Sequence, residues 1–142
     1  VVMTRKLDLP IDAILWDTSV APTLVVTHSG ANPDTRARLR DRGVEVLELD
    51  TLSPKLVMQH LYDRGHLSVL WECGGTLAAS AIADGAIQKV LACIAPKIVG
   101  GSSAPSPVGD LNIQSMSAAL VLERVTWQQI GADLLIQGYI NK

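Results

Sequence analysis

Residues 72–76 place a carboxylate, two glycines and a hydroxyl within the sequence Glu-Cys-Gly-Gly-Thr. Glu72 is our candidate catalytic and substrate-binding residue, because a carboxylate can hold a polar substrate or exchange a proton with it. Gly74 and Gly75 lack Cβ atoms, which lets the backbone turn tightly and lets a ligand approach it. Thr76 adds a hydroxyl donor. These residue types at this spacing suit the binding of a small anionic molecule.

The flanking segments predict which elements position these residues. Residues 68–72, SVLWE, are predicted to form a buried strand that ends at Glu72. A helix is predicted from about Thr76 to Asp84, where Gly85 ends it. The first turn of a helix has unpaired N–H groups and a partial positive charge. We therefore expect a phosphate or diphosphate site where the strand gives way to the helix.

Two simpler interpretations of this segment stay open on the residues alone. A Gly-Gly pair between a strand and a helix is often only a tight connection. Glu72 is also placed to cap the helix that follows, since helix N-termini attract acidic side chains. The segment matches neither the loop that ends in Gly-Lys-Ser/Thr nor the dinucleotide pattern G-x-G-x-x-G.

The rest of the chain predicts a single α/β domain over residues 1–142 with a mainly parallel sheet and helices on both faces. Asn32-Pro33 and Ser53-Pro54 are predicted to start two helices, which end near Gly43 and Gly65. Strands and helices alternate, as is typical of parallel sheets. The further strands are predicted at residues 1–3, 23–27, 44–49 and 89–95.

The last third of the chain changes character. Residues 98–110 are rich in Gly, Pro and Ser and predict a surface loop, long enough to suggest a function such as covering a site. Residues 119–130 and 133–140 predict an antiparallel hairpin that turns near Gly131. We expect Trp127 to point outward from this hairpin or to lie at an interface.

Composition excludes several classes of function. A net charge of −2 with mixed signs gives no nucleic-acid footprint, which requires a basic patch. No apolar run approaches about 18 residues, so no membrane span is expected. Three dispersed histidines and two cysteines show no metal-ligand spacing, and no metal is predicted. Because no signal peptide is visible, we expect a cytoplasmic protein.

The sequence from Glu72 to Gly101, ECGGTLAASAIADGAIQKVLACIAPKIVGG, resembles the hallmark segment of the riboflavin-pathway reductases. These are the C-terminal reductase domains of the bifunctional riboflavin biosynthesis deaminase/reductase. The family shows a strand ending in Glu, a Gly-containing turn, a Thr-Leu-Ala helix and a later Ala-Pro-Lys. The segments VVMTRKLDLP and APTLVVT also resemble the family's RVVLDSxLRLP and PTLVVTT. The likeness runs nearly from end to end.

The resemblance implies a dihydrofolate-reductase-like fold and NADPH as cofactor. The implied reaction is reduction of the ribosyl group of 5-amino-6-(5-phosphoribosylamino)uracil to the ribitylamino product. Glu72 corresponds to the family's glutamate that contacts substrate. The residues that correspond to the family's cofactor-binding segment are Gly74, Gly75, Thr76, Leu77, Ala78, Ala79 and Ser80.

Two further residues are expected near the cofactor. Arg5 follows the first strand, where the family usually has Asp-Ser, and its charge suits the 2′-phosphate of NADPH. Thr27, with His28 after it, ends the second strand and is expected to border the adenosine end of the cofactor. A strand end followed by a plain turn is the alternative there.

The resemblance also implies partners for this protein. It implies a small-molecule pyrimidine substrate, an N-terminal deaminase domain in the parent chain, and a homodimer. The chain resembles only about the last two-thirds of such a reductase domain. Two alternatives remain: a nucleotide-binding or interaction module without turnover, and a related pteridine or pyrimidine reductase.

Overall fold

A computed structural model describes residues 1–101 and 103–141 and confirms the mixed α/β fold class. The chain divides into two compact units, the first covering residues 1–57 and the second beginning at Met58. Each unit contains one three-stranded sheet, parallel in the first and antiparallel in the second. In the described part of the chain, no helix is long and apolar enough to cross a membrane.

The sheet of the first unit has the order β1-β2-β3, with strands at Val2–Thr4, Leu24–His28 and Glu45–Leu49. The β-branched run of β2 occupies the centre, where residues 24–27 are buried. Helix α1 (Pro33–Asp41) begins as predicted, because the Asn32 side chain accepts hydrogen bonds from the N–H groups of Asp34 and Thr35 at 3.0 and 3.1 Å.

An apolar core holds the first unit together. It is aliphatic except for Trp16, whose Nε1 donates a hydrogen bond to the carbonyl oxygen of Pro10 at 2.8 Å. Burying an indole is therefore not opposed by an unpaired donor. The buried members of the core are Leu7, Trp16, Val25, Ala31, Leu39 and Val44.

In the second unit, helix α3 (Gly75–Ala83) precedes strands β4 (Lys89–Ile94), β5 (Leu122–Ile130) and β6 (Asp133–Ile140), while α2 (Pro54–Asp63) spans the boundary. The predicted hairpin is confirmed, since β5 and β6 pair antiparallel around a turn at Gly131. Helix α2 begins as predicted, with the N–H of Leu56 donating to Ser53 Oγ at 3.3 Å.

Strand β4 corrects the prediction of one mainly parallel sheet. It pairs antiparallel with β6, from Lys89 opposite Tyr139 to Ile94 opposite Leu134. None of its residues is buried, since four are exposed and two are half-buried. The local sequence could predict a strand here, but its direction depends on which distant segment it meets.

The predicted strand at residues 68–72 is a second correction. The segment from His66 to Gly74 forms neither helix nor strand, and Leu70 is 73% exposed. A strand requires a neighbour to satisfy its backbone groups, and among the residues described none forms a ladder with this segment. Its apolar composition favours an extended chain but supplies no pairing partner.

Candidate functional site

The N-terminus of α3 is the centre of the candidate site. Gly74 is its N-cap, and the first helical hydrogen bond runs from the N–H of Ala78 to the carbonyl oxygen of Gly74 at 3.0 Å. The N–H groups of residues 75–77 therefore precede the helical ladder. Gly74 has no side chain with which to cap them. Free amides at the positive end of a helix form an anion-binding surface.

The two glycines have different surroundings. A Cβ built on Gly74 would meet no atom within 4 Å, whereas one built on Gly75 would lie 2.4 Å from the carbonyl oxygen of Ser106. Neither glycine has a positive φ angle, and that of Gly74 is −74°. A left-handed backbone conformation therefore does not explain this pair. Glycine is required at position 75 because a side chain there would clash with the loop. At Gly74 the corresponding space is open, and a ligand can occupy it.

Glu72 lies in the extended segment two residues before the N-cap, and it is exposed. It forms no ion pair with any other described residue. Its carboxylate accepts no hydrogen bond from the described N–H groups at the start of α3, where the helix-capping alternative would have placed it. The carboxylate is thus accessible to a substrate near the uncapped helix start.

The remaining predicted cofactor-binding residues lie in the first two turns of α3. Thr76 and Ser80 are exposed, and Leu77 and Ala78 are half-buried. The Ser80 hydroxyl donates to the carbonyl oxygen of Thr76 at 3.2 Å, so it is already engaged. The side chain of Ala79 is buried and packs inside the unit. Among these side chains, that of Thr76 can therefore contact a phosphate directly.

Arg5 and Thr27 belong to the first unit. Thr4 lies opposite Thr27 in the parallel ladder, so Arg5 and Thr27 lie at the same carboxyl edge of the sheet. Arg5 is exposed, whereas Thr27 is fully buried and its Oγ1 has no hydrogen-bond partner within the described residues. The neighbouring His28 accepts the N–H of Gly30 on its Nδ1 at 2.9 Å.

The sequence analysis missed the residues that touch Gly75 from the loop after β4. The N–H of Gly109 donates to the carbonyl oxygen of Gly75 at 2.9 Å. The carbonyl of Ser106 covers the Cα of Gly75 on the same side. The Gly-rich composition of residues 98–110 indicated a loop of possible function, but no motif showed where it would contact the helix.

The structure thus combines a mixed α/β fold with an uncapped helix start two residues beyond an accessible carboxylate. The chain belongs to the RibD C-terminal domain family, whose sequence model matches residues 1–136. The resemblance in the segment from Glu72 to Gly101 is thereby confirmed, and with it the assignment to riboflavin biosynthesis proteins.

Individual relatives agree with this assignment. The chain is 54% identical over 141 residues to the riboflavin biosynthesis protein PYRR, chloroplastic, of Arabidopsis thaliana, covering 99% of this chain and 24% of that protein. It is 53% identical over 140 residues to the riboflavin biosynthesis protein RibD of Synechocystis, covering 99% and 38%. A third relative is the 2,5-diamino-6-ribosylamino-4(3H)-pyrimidinone 5′-phosphate reductase of Methanothermobacter thermautotrophicus, at 33% identity over 118 residues, covering 82% and 55%.

Solved structures show the same fold. One crystal form of Acinetobacter baumannii RibD superimposes with a TM-score of 0.81 at 23% identity, covering 98% of this chain and 36% of that one. A pyrimidine reductase-like protein from Corynebacterium diphtheriae superimposes with a TM-score of 0.75 at 22% identity, covering 99% and 60%. The chain thus spans only part of each of these proteins.

Proposed function

We propose that this chain carries the cofactor-binding part of an NADPH-dependent reductase of riboflavin biosynthesis. The proposed reaction reduces the ribosyl group of 5-amino-6-(5-phosphoribosylamino)uracil to the ribitylamino product. The observation that carries the proposal is the uncapped start of α3, open at Gly74 and two residues beyond Glu72. Membership of the RibD C-terminal domain family supports the same reaction.

The residues at the helix start fit a dinucleotide phosphate. Free N–H groups of residues 75–77, the hydroxyl of Thr76 and the positive helix end all favour a bound anion. The empty volume around Gly74 allows a phosphate oxygen to approach the backbone more closely than any side chain would permit. Gly74, Gly75 and Thr76 would therefore hold the cofactor, while Leu77, Ala78, Ala79 and Ser80 shape the helix behind them.

When bound, a nicotinamide cofactor supplies the hydride, so no protein nucleophile is required. The protein must orient the opened sugar and keep its polar groups paired. Glu72 is assigned this role, because its exposed carboxylate can accept a hydrogen bond from a sugar hydroxyl or exchange a proton with the substrate. Binding and orientation of this kind supply a large share of catalysis.

For the first unit, we propose that Arg5 binds the 2′-phosphate that distinguishes NADPH from NADH. Its guanidinium is exposed and suited to bidentate contact with a phosphate. At the same edge of the sheet, the buried hydroxyl of Thr27 has no hydrogen-bond partner among the residues that the structure describes. We infer that Thr27 supports the adenosine end of the site from within rather than through surface contact.

We also infer that this chain forms the C-terminal two-thirds of a larger reductase domain. Residues 66–74 form no ladder with any described residue, and the side chains of Leu67 and Leu70 in this segment are 90% and 73% exposed. The indole Nε1 of Trp71 is buried without a hydrogen-bond partner among the described groups. A further strand paired along this segment would satisfy its backbone groups and cover its side chains.

The partners follow from the family and from the exposed sheet. We propose an N-terminal deaminase domain in the parent polypeptide, as in the bifunctional members of the family. We further propose a homodimer, supported by an apolar face of the antiparallel sheet on which Trp127 is 74% exposed. The other members of this face, in register with Trp127 or next to it, are Ile94, Leu134 and Ile136.

The compartment is part of the proposal. We propose that the protein acts in the cytoplasm. The names of the relatives from Arabidopsis thaliana and Zea mays specify the chloroplast. Fractionation of cells with an antibody against this chain decides between the two, and a plastid signal would overturn the cytoplasmic assignment.

A second substrate is favoured by one comparison. The relative from Methanothermobacter thermautotrophicus is named a reductase of a diaminopyrimidinone, which retains the amino group that the deaminated uracil lacks. The complete polypeptide should therefore be assayed for NADPH oxidation with both pyrimidines. Faster turnover of the uracil supports the main proposal, and faster turnover of the diaminopyrimidinone supports the second. NADPH binding without turnover of either pyrimidine would contradict the proposed reaction and would indicate a nucleotide-binding module.

A further inference from the structure

Two backbone segments that are more than 30 residues apart meet at the start of α3. The N–H of Gly109 donates to the carbonyl oxygen of Gly75 at 2.9 Å. A Cβ on Gly109 would lie 3.1 Å from that carbonyl oxygen and 3.5 Å from Cβ of Ala79. A Cβ on Gly75 would lie 2.4 Å from the carbonyl oxygen of Ser106. The contact therefore excludes a side chain at Gly75 and is too tight for a side chain at Gly109 unless the backbone shifts by a few tenths of an ångström.

The loop is ordered by its own hydrogen bonds where it meets the helix. The Ser106 hydroxyl donates to the carbonyl oxygen of Val108 at 2.6 Å, and the N–H of Asn112 donates to Asp110 Oδ1 at 2.7 Å. Val108 and Gly109 are half-buried, whereas the residues at the beginning of the loop are exposed. The loop thus rests on the helix through the short segment Ser106–Gly109.

This contact covers one side of the helix start and leaves the other side open. A Cβ on Gly75 would point into the loop backbone, whereas one on Gly74 would have no described atom within 4 Å apart from its chain neighbours. An anion therefore has access to the first-turn amides from the Gly74 side. A shift of the loop or of Gly75 would change the direction in which these amides point.

We infer that Gly109 is a positioning residue for the cofactor: its contact with Gly75 fixes the first turn of α3 in the orientation that receives the phosphates. This inference rests on the proposed function. Gly109 acts through the backbone of Gly75 and touches no reacting atom. Loss of the contact should weaken cofactor binding, while turnover of the complex once NADPH is bound, in which Glu72 still orients the substrate, should change little.

The test is Gly109→Ala in the complete polypeptide, with Ala104→Ser as the control. Both variants add one heavy atom to the same loop, but Ala104 is exposed. A methyl group 3.1 Å from a backbone oxygen forces a shift of a few tenths of an ångström. We expect the KM for NADPH to rise about tenfold in Gly109→Ala, because the displaced amides bind the phosphates less tightly, with kcat changed less than about twofold. Ala104→Ser should match the wild type.

A second variant keeps the test decisive if Gly109→Ala fails to fold. Ser106→Ala removes the hydrogen bond to Val108 without adding any atom, and it should raise the KM for NADPH about threefold in the same direction. An unchanged KM in both variants, with only a lowered melting temperature, would overturn the inference and leave the contact as packing. If the wild type itself binds no NADPH, the proposed function fails, and the inference fails with it.

Discussion

The N–H of Gly109 donates a hydrogen bond to the carbonyl oxygen of Gly75, with the nitrogen 2.9 Å from the oxygen. This bond connects the loop after β4 to the first turn of α3. The same loop leaves no room for a side chain at Gly75, whose Cβ would lie 2.4 Å from the carbonyl oxygen of Ser106, whereas the adjacent Gly74 has no such constraint among the described residues. Substituting each glycine separately can therefore distinguish a packing role from a ligand-binding role.

Alanine substitutions at the two glycines should affect different properties, NADPH affinity at Gly74 and stability at Gly75. Gly74→Ala should change the free energy of unfolding by less than about 1 kcal/mol, because reduced chain entropy in the unfolded state offsets a poorer N-cap. It should nevertheless weaken NADPH binding about tenfold or more, since its methyl group occupies the open approach to the amides. Thermal unfolding and fluorescence titration with NADPH measure the two effects.

Gly75→Ala is the matched variant. Its Cβ would lie 2.4 Å from a backbone oxygen, so the loop or the helix must move, and we expect a loss of about 1–3 kcal/mol in stability. Equal stability of the two variants would contradict the packing assigned to Gly75. Normal NADPH affinity in Gly74→Ala would contradict the phosphate site.

Glu72→Gln should separate chemistry from cofactor binding. The amide keeps the shape of the side chain but removes its charge and its capacity to exchange a proton, so kcat should fall about 100-fold or more. The Kd for NADPH should change less than about twofold, since Glu72 is assigned to the substrate. Asp41→Asn, which alters an exposed carboxylate in α1, serves as the control. Unchanged turnover in Glu72→Gln would remove Glu72 from the reaction.

Arg5→Gln should change the preference between cofactors. Removal of the guanidinium should raise the KM for NADPH about tenfold and leave that for NADH unchanged, because NADH lacks the 2′-phosphate. Steady-state kinetics with both cofactors gives the ratio directly. Arg38→Gln, at an exposed position of α1, is the control for a general loss of positive charge. A parallel loss with both cofactors would show that Arg5 does not read the 2′-phosphate.

Trp127→Glu should dissociate the proposed homodimer. A charge in the middle of an apolar interface should weaken association about 100-fold or more, and sedimentation velocity measures the shift to monomer. Val20→Glu places the same charge on an exposed apolar residue of the first unit and should leave the assembly unchanged. A wild type that sediments as a monomer, or a variant that stays dimeric, would reject this face as the interface.

Local signals in the sequence predicted the helices well. Asn32-Pro33 and Ser53-Pro54 mark the first residues of α1 and α2, because their side chains and ring geometry satisfy the helix N-terminus without help from distant residues. The turn at Gly131, whose φ is +62°, is likewise determined by residues next to it in the sequence. Each of these features is decided within a few residues of the chain.

Features that depend on distant partners could not be predicted in the same way. Residues 68–72 have the composition of a strand, but a strand exists only where a ladder partner lies beside it. The pairing of β4 with β6 is likewise decided by a segment that begins almost 40 residues after β4 ends. The candidate site shows the same division: its glycines were found by motif, but the contact of Gly75 with the loop was not.

The central claim is that main-chain amides at the start of α3 hold the phosphates of the cofactor. A crystal structure of the complete polypeptide with NADPH tests it most directly. We predict the diphosphate within hydrogen-bond distance of the N–H groups of Gly75 and Thr76, with its oxygens over Gly74. A cofactor whose diphosphate lies away from these amides would contradict the account.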